Sequence, residues 1–116
     1  MNLMLEFAHK WADKFKDKKI SEAEFTDRGF GDECVVLGFE MDCGESFRRM
    51  YGTAEKDADE LEKIINSVTD INLLGSAILS RWRYFSHWIY EPITEPHNRK
   101  WFILALERMA VLAENN

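Results

Sequence analysis

Residues 70–90, DINLLGSAILSRWRYFSHWIY, carry the most regular apolar pattern in the chain. Asp70 is a suitable N-cap, and apolar residues follow it at spacings of three or four positions, as in a helix. One stripe comprises Ile71, Leu74, Ile78, Trp82, Phe85 and Ile89, and a second comprises Leu73, Ala77 and Tyr84. A helix that is apolar over so much of its circumference is usually central in a bundle. The pattern therefore predicts a central helix from about Asp70 to Tyr90, packed on the N- and C-terminal helices.

The segments before this helix show the same periodicity. Met4, Ala8, Trp11 and Phe15 predict a helix over about 2–17, with Asn2 as its N-cap. Ser21 and Glu24 resemble a capping box, which predicts a short helix ending before Gly29. A further helix is predicted after Thr53, because acidic residues in its first turn favour the positive end of the helix dipole. Its buried stripe comprises Ala54, Ala58, Leu61, Ile65 and Val68.

The clearest break in the chain lies at residues 91–96, where two prolines disfavour helix in the residues before them. A last helix is predicted from about Pro96 to Ala113, since proline is tolerated in a first turn. Its predicted core residues are Phe102, Ala105, Leu106, Met109, Leu112 and Ala113.

Residues 33–51 fit two descriptions. Val35, Leu37, Phe39 and Met41 alternate as in a strand, which would form a hairpin with residues 46–51. Asp32 is also a suitable N-cap, and the same apolar residues fit two turns of helix. We favour helix, because an isolated hairpin is marginal and no other segment offers strong strands. The prediction is thus a mostly all-α bundle of four to six helices, with an α+β fold carrying one hairpin at about 33–51 as the alternative.

Length and composition predict a single soluble domain over residues 1–116. Hydrophobic residues make up 46% of the chain, which is ample for a core, and the many aromatics argue against disorder. The net charge of −6 argues against a surface that binds nucleic acid throughout. We expect no membrane span and no signal peptide, since Glu6 interrupts the N-terminal apolar stretch. Because no export signal is expected, we also expect a cytoplasmic location, with Cys34 and Cys43 as free thiols.

The densest chemical feature is the segment 81–101, which holds three of the four tryptophans and two histidines. Helical spacing assigns most of its aromatics to the core or its edge. The exposed remainder is predicted to form a local surface, here called the aromatic–basic surface, of Arg83, His87, Trp88, Arg99 and Lys100. Trp and Arg are enriched among the residues that dominate binding at protein interfaces. This surface is therefore the candidate contact with a protein partner or with a second copy of the chain.

The same surface supports an alternative, in which aromatic faces stack on bases and guanidinium groups hold phosphates of single-stranded nucleic acid. The acidic stretch 55–62 could attract a hard cation or a basic partner, but a solvated helix face explains it more simply. Cys34, Cys43, His87 and His97 match no compact zinc spacing. Common catalytic motifs are also absent. We therefore expect no metal, no cofactor and no catalytic residues.

Three stretches resemble small uncharacterised proteins of bacterial conjugative transposons and similar mobile elements. They are Leu37–Gly44, Asp70–Trp88 and Asn98–Phe102. The resemblance implies a bacterial, cytoplasmic accessory protein and assigns no residue a role. Together, the resemblance and the residue patterns predict a non-enzymatic protein-interaction module, with nucleic-acid binding as the alternative.

Overall fold

The computed structural model describes residues 2–16, 28–42, 45–51, 58–88 and 96–115. These residues contain six helices and no β-strand, so the predicted all-α bundle is confirmed. The helices are α1 (Leu3–Lys16), α2 (Arg28–Val36), α3 (Glu45–Tyr51), α4 (Ala58–Ser67), α5 (Ile71–Trp88) and α6 (Pro96–Glu114). The predicted capping residues Ser21, Glu24 and Thr53 lie outside the described residues.

Helix α5 is central, as its two apolar stripes predicted. The Asp70 carboxylate caps it, because Oδ1 accepts hydrogen bonds from the backbone N–H groups of Asn72 (3.0 Å) and Leu73 (3.2 Å). All seven residues 74–80 are buried. The main neighbours of α5 are α2, α3 and α6. The predicted packing on the C-terminal helix is confirmed; the N-terminal helix α1 is not among the main neighbours of α5 in the described residues, because it packs chiefly along α6.

Helices α1 and α6 run antiparallel and form the most extensive helix pair among the described residues. Asn2 joins their ends, since its Oδ1 accepts from the N–H of Leu5 (3.1 Å) and its Nδ2 donates to the carbonyl of Ala113 (2.9 Å). The predicted N-cap is thereby confirmed. The Phe15 and Phe102 rings stack with centroids 5.3 Å apart in the interface. Burying each ring contributes about 1.5–3 kcal/mol to the free energy of unfolding.

The described residues between 33 and 51 contain the end of α2 and all of α3 and no hairpin strands, but the helix boundaries differ from the predicted ones. Helix α2 begins at Arg28, so it passes through Gly29 and Asp32 is not its N-cap. It ends in a Schellman motif at Gly38, whose φ of 86° suits glycine. The N–H of Gly38 donates to the carbonyl of Val35 (2.9 Å), and that of Phe39 donates to Cys34 (3.1 Å). Phe39 and Met41 therefore lie after the helix.

Close contacts with two glycines fix how α2 and residue 39 approach α5. A Cβ atom at Gly31 would lie 2.5 Å from the Trp82 ring, and one at Gly75 would overlap the Phe39 ring. Both aromatic rings thus occupy the space that a larger side chain would need. The α2–α5 contact is therefore closely packed.

Helix α4 is joined to α6 at its C-terminal end, where Nε of Arg108 donates to the carbonyl of Val68 (2.8 Å). Leu61, Ile65 and Val68 are fully buried, in agreement with the predicted stripe. The acidic residues 59, 60 and 62 are exposed, as expected of a solvated helix face. Within the described residues, no helix combines the length and apolar character needed to cross a lipid bilayer.

Candidate functional site

The structure distributes the predicted aromatic–basic surface over the end of α5 and the start of α6. Arg83 is exposed on α5, Lys100 is exposed on α6, and Arg99 is partly buried. His87 and Trp88 belong to the last turn of α5, but their side chains lie outside the described part of the structure. The surface therefore rests on three described cations on two helices that pack together.

Arg81 joins these two helices. Its Nη2 donates to Oδ1 of Asn98 (2.9 Å), and its guanidinium carbon lies 4.7 Å from the centroid of the Trp101 ring. Both contacts are ones that an arginine makes well, since its planar head can donate hydrogen bonds and lie over a ring at once. The role of Arg81 is therefore to hold α5 against α6.

The described aromatics of segment 81–101 pack on the core, with Trp101 buried and Trp82 partly buried. Trp82 stacks with Phe30 at a centroid distance of 6.3 Å, and Trp101 is only 2% exposed. The Trp101 ring meets Phe102 edge-on at 5.3 Å. The Trp101 ring therefore offers no free face to a base, and the Trp82 ring already contacts Phe30 and Gly31.

A different surface has the shape of a binding site. An open groove of about 350 Å³ runs between α1 and α2. Its lining, which defines the α1–α2 groove, comprises Leu3, Glu6, Phe7 and Lys10 of α1 with Asp32, Glu33, Val36 and Leu37 of α2 and the turn after it. Phe7 is buried, whereas Leu3 is 55% exposed and Val36 is 78% exposed. The α1–α2 groove is thus an apolar surface that folding leaves in water.

A polar cluster at Lys10 and Glu33 holds the two walls together. Glu33 accepts hydrogen bonds from Nζ of Lys10 and, at 2.7 Å, from Nε1 of Trp11. Nζ of Lys10 also lies 5.2 Å from the centroid of the Trp11 ring. Since the Lys10–Glu33 contact neutralises both charges, these two residues add no net charge to the groove.

The remaining charges on the groove are negative. Glu6 on α1 and Asp32 on α2 are both exposed. Neither forms an ion pair or a side-chain hydrogen bond within the described residues. One uncompensated carboxylate therefore lies on each wall beside an apolar floor.

Comparisons with protein-family models, curated proteins and solved structures found no match. The resemblance to proteins of mobile elements accordingly stays a prediction.

The cysteine and histidine candidates are only partly described. Cys34 is a free, fully buried thiol whose pKa is raised, first by burial and then by the nearby charge of Glu33. It therefore stays protonated at neutral pH and is a poor nucleophile. Cys43 and the side chains of His87 and His97 lie outside the described residues. Elsewhere in the described residues, no group of three His, Cys, Asp or Glu side chains is placed to hold a metal ion.

Sequence reasoning missed the α1–α2 groove. Leu3 and Phe7 lie four positions apart and form an apolar row beside the stripe that was recognised on α1. Val35, Val36 and Leu37 likewise give α2 more consecutive apolar residues than one buried face requires. These additional apolar residues on each helix were the only sequence signal for a binding surface. The packing of α1 against α2 brings them together in one groove.

Proposed function

We propose that the protein is a non-enzymatic protein-interaction module whose α1–α2 groove receives a helix of a partner protein. The supporting observation is the exposure of Leu3 and Val36 beside the buried Phe7 ring. Fully burying a leucine or valine side chain contributes about 1.5–3 kcal/mol. A partner that covers both side chains would gain much of that free energy.

The shape of the groove favours a helix over a small molecule. The α1 wall extends from residue 3 to residue 10, which at about 1.5 Å per residue is about 10 Å, or two helical turns. Small-molecule pockets usually bury about 70–90% of the ligand surface. A groove with such exposed walls cannot enclose a compact ligand to that extent. An amphipathic helix instead lays one apolar face along a groove of this kind.

A matched pair of variants tests this function. Peptides of about four helical turns are selected from a displayed library for binding to the wild-type protein. The double variant Leu3→Ser/Val36→Ser should weaken their binding at least about tenfold, because it removes two apolar contacts. Val35→Ser is the control, since Val35 is 64% exposed, neighbours Val36 and does not line the groove.

The expected result for Val35→Ser is a change in affinity below about twofold, as for a residue outside the contact. Circular dichroism and thermal unfolding should show that all variants keep the fold. If both variants bind the selected peptides as the wild type does, the groove is not the docking site.

The aromatic–basic surface is a second candidate site for the same function. Arg83 and Lys100 are exposed on helices that Arg81 joins, which supports a local basic surface in an acidic chain. The burial of Trp101, and the contacts of Trp82 with Phe30 and Gly31, argue against base stacking by these two rings. Protein binding is therefore the better-supported use of this surface.

Charge reversal separates the two uses. Arg83→Glu/Arg99→Glu should abolish a protein contact made by this surface while leaving peptide binding in the α1–α2 groove unchanged. Binding of a labelled single-stranded oligonucleotide, tested at low and at moderate salt, should be absent in the wild type. Tight, steeply salt-dependent oligonucleotide binding lost in the double variant would instead establish the nucleic-acid alternative.

We further propose the bacterial cytoplasm as the setting, with the protein acting as an accessory factor of a mobile element. The resemblance of Asp70–Trp88 and the two shorter stretches supports this. The free thiol of Cys34 is compatible with a reducing compartment.

A further inference from the structure

We infer that the helix received by the α1–α2 groove carries lysine or arginine on both sides of its apolar stripe. This inference rests on the proposed function and adds the chemistry of the partner. It comes from the placement of Glu6 and Asp32 on opposite walls of the groove. A helix lying between these walls has one flank beside each carboxylate.

The balance of charge around the groove is negative. Among the described residues that line the groove, Lys10 is the only cation, and its contact with Glu33 cancels both charges. Within the described part of the structure, Glu6 and Asp32 remain as two negative charges without an ion-pair partner, and the whole chain has a net charge of −6. Complementary charge accelerates association and suppresses wrong partners more than it increases affinity. A cationic helix is therefore selected over a neutral or acidic one.

The same charges disfavour a second copy of this chain as the occupant. Two copies with a net charge of −6 each repel one another, and two grooves that faced each other would bring acidic walls together. Like charges at an interface act against unwanted partners. The partner is thus a different protein, with apolar residues at positions i, i+3 or i+4, and i+7, and with basic residues on either side.

Isosteric neutralisation tests the inference. The peptide library described above carries randomised flanking positions, and the selected peptides are measured by fluorescence anisotropy at several salt concentrations. Glu6→Gln/Asp32→Asn removes two negative charges from the groove and keeps the shape of both side chains. Asp59→Asn/Glu62→Gln is the matched control, since it makes the same chemical changes at exposed positions of α4 outside the groove lining.

The selected peptides should be rich in lysine and arginine on both flanks. Each exposed charge pair changes affinity by up to about fivefold, so the groove double variant should bind about tenfold more weakly and show a flatter salt dependence. The α4 double variant should stay within about twofold of the wild type. Equal losses in both double variants would overturn the inference, because they would reflect net charge alone.

Three other outcomes separate this inference from the function it rests on. Neutral or acidic peptides that depend on Leu3 and Val36 would overturn the charge inference and leave the proposed function standing. Peptides that bind the Leu3→Ser/Val36→Ser variant as tightly as the wild type would overturn both the charge inference and the proposed function. A concentration-dependent dimer in sedimentation experiments, abolished by Leu3→Ser/Val36→Ser, would identify a second copy as the occupant and overturn the inference.

Discussion

Helix α2 has two sides that differ sharply in how completely the fold covers them. Its inner side carries Phe30 and Gly31, which are buried, and Gly31 contacts Trp82 so closely that no Cβ atom fits. Its outer side carries Val36, which is 78% exposed beside a groove of about 350 Å³. Both sides are apolar, so hydrophobicity alone does not separate core from binding surface. What separates them is whether the chain itself supplies the covering residues.

The largest effect should follow from truncating Phe30. This ring is fully buried and packs against rings of α1, α5 and α6, with centroids 5.4 Å from Phe7, 4.9 Å from Trp11 and 6.3 Å from both Trp82 and Phe102. Phe30→Ala should lower the free energy of unfolding by about 3–5 kcal/mol, measured by urea denaturation. A loss below about 1 kcal/mol would mean that the inner side of α2 is not closely packed.

Substituting the two glycines of α2 should give the next largest change in the free energy of unfolding, with opposite signs at the two positions. Gly31→Ala should lower the free energy of unfolding by about 1–3 kcal/mol, because the Trp82 ring must move. Gly29→Ala places its Cβ atom in open space. It should raise the free energy of unfolding by about 0.5–1 kcal/mol, since alanine favours helix. Equal effects in thermal or urea unfolding would contradict the contact at Gly31.

The Glu33 cluster that links the two walls of the groove should contribute less to the free energy of unfolding. Glu33→Ala removes the acceptor for Trp11 Nε1 and Lys10, and should lower the free energy of unfolding by about 1–2 kcal/mol. Glu45→Ala is the control, because Glu45 pairs only with exposed Arg49 of its own helix among the described residues. That change should stay within about 0.5 kcal/mol. Similar losses in the two variants would show that the Glu33 cluster does not hold α1 to α2.

The smallest effect on stability should come from the groove itself. Val36→Ala should leave the free energy of unfolding within about 0.5 kcal/mol of the wild type, since Val36 lies largely in water. The same substitution at the fully buried Val68 should lower it by roughly 2 kcal/mol. A comparable loss at Val36 would indicate that Val36 belongs to the core and not to a binding surface.

Features that depend on local sequence could be predicted, and those that depend on distant packing could not. Asn2 and Asp70 were recognised as caps because a cap bonds to residues two or three positions away. The start of α2 was missed because Gly29 and Gly31 are poor helix formers. There the packing of Phe30 and the close fit of Gly31 on Trp82 override local preference.

For the candidate sites, too, packing between helices decides features that the local sequence does not specify. Arg81 and Arg83 look alike in sequence, yet Arg81 lies over Trp101 while Arg83 is exposed. The α1–α2 groove could not be predicted, because the approach of its two walls depends on contacts between the helices, such as that of Trp11 with Glu33. A surface formed by two helices follows from their packing, which periodicity within either helix does not specify.

Backbone amide chemical shifts, followed while a selected peptide is titrated into the isotope-labelled protein, test the docking claim most directly. The largest changes should lie in the lining of the α1–α2 groove, at Leu3, Phe7, Asp32 and Val36, with small changes on α4. Changes concentrated instead at Arg83, Arg99 and Lys100, with the groove unaffected, would contradict the account and assign binding to the aromatic–basic surface.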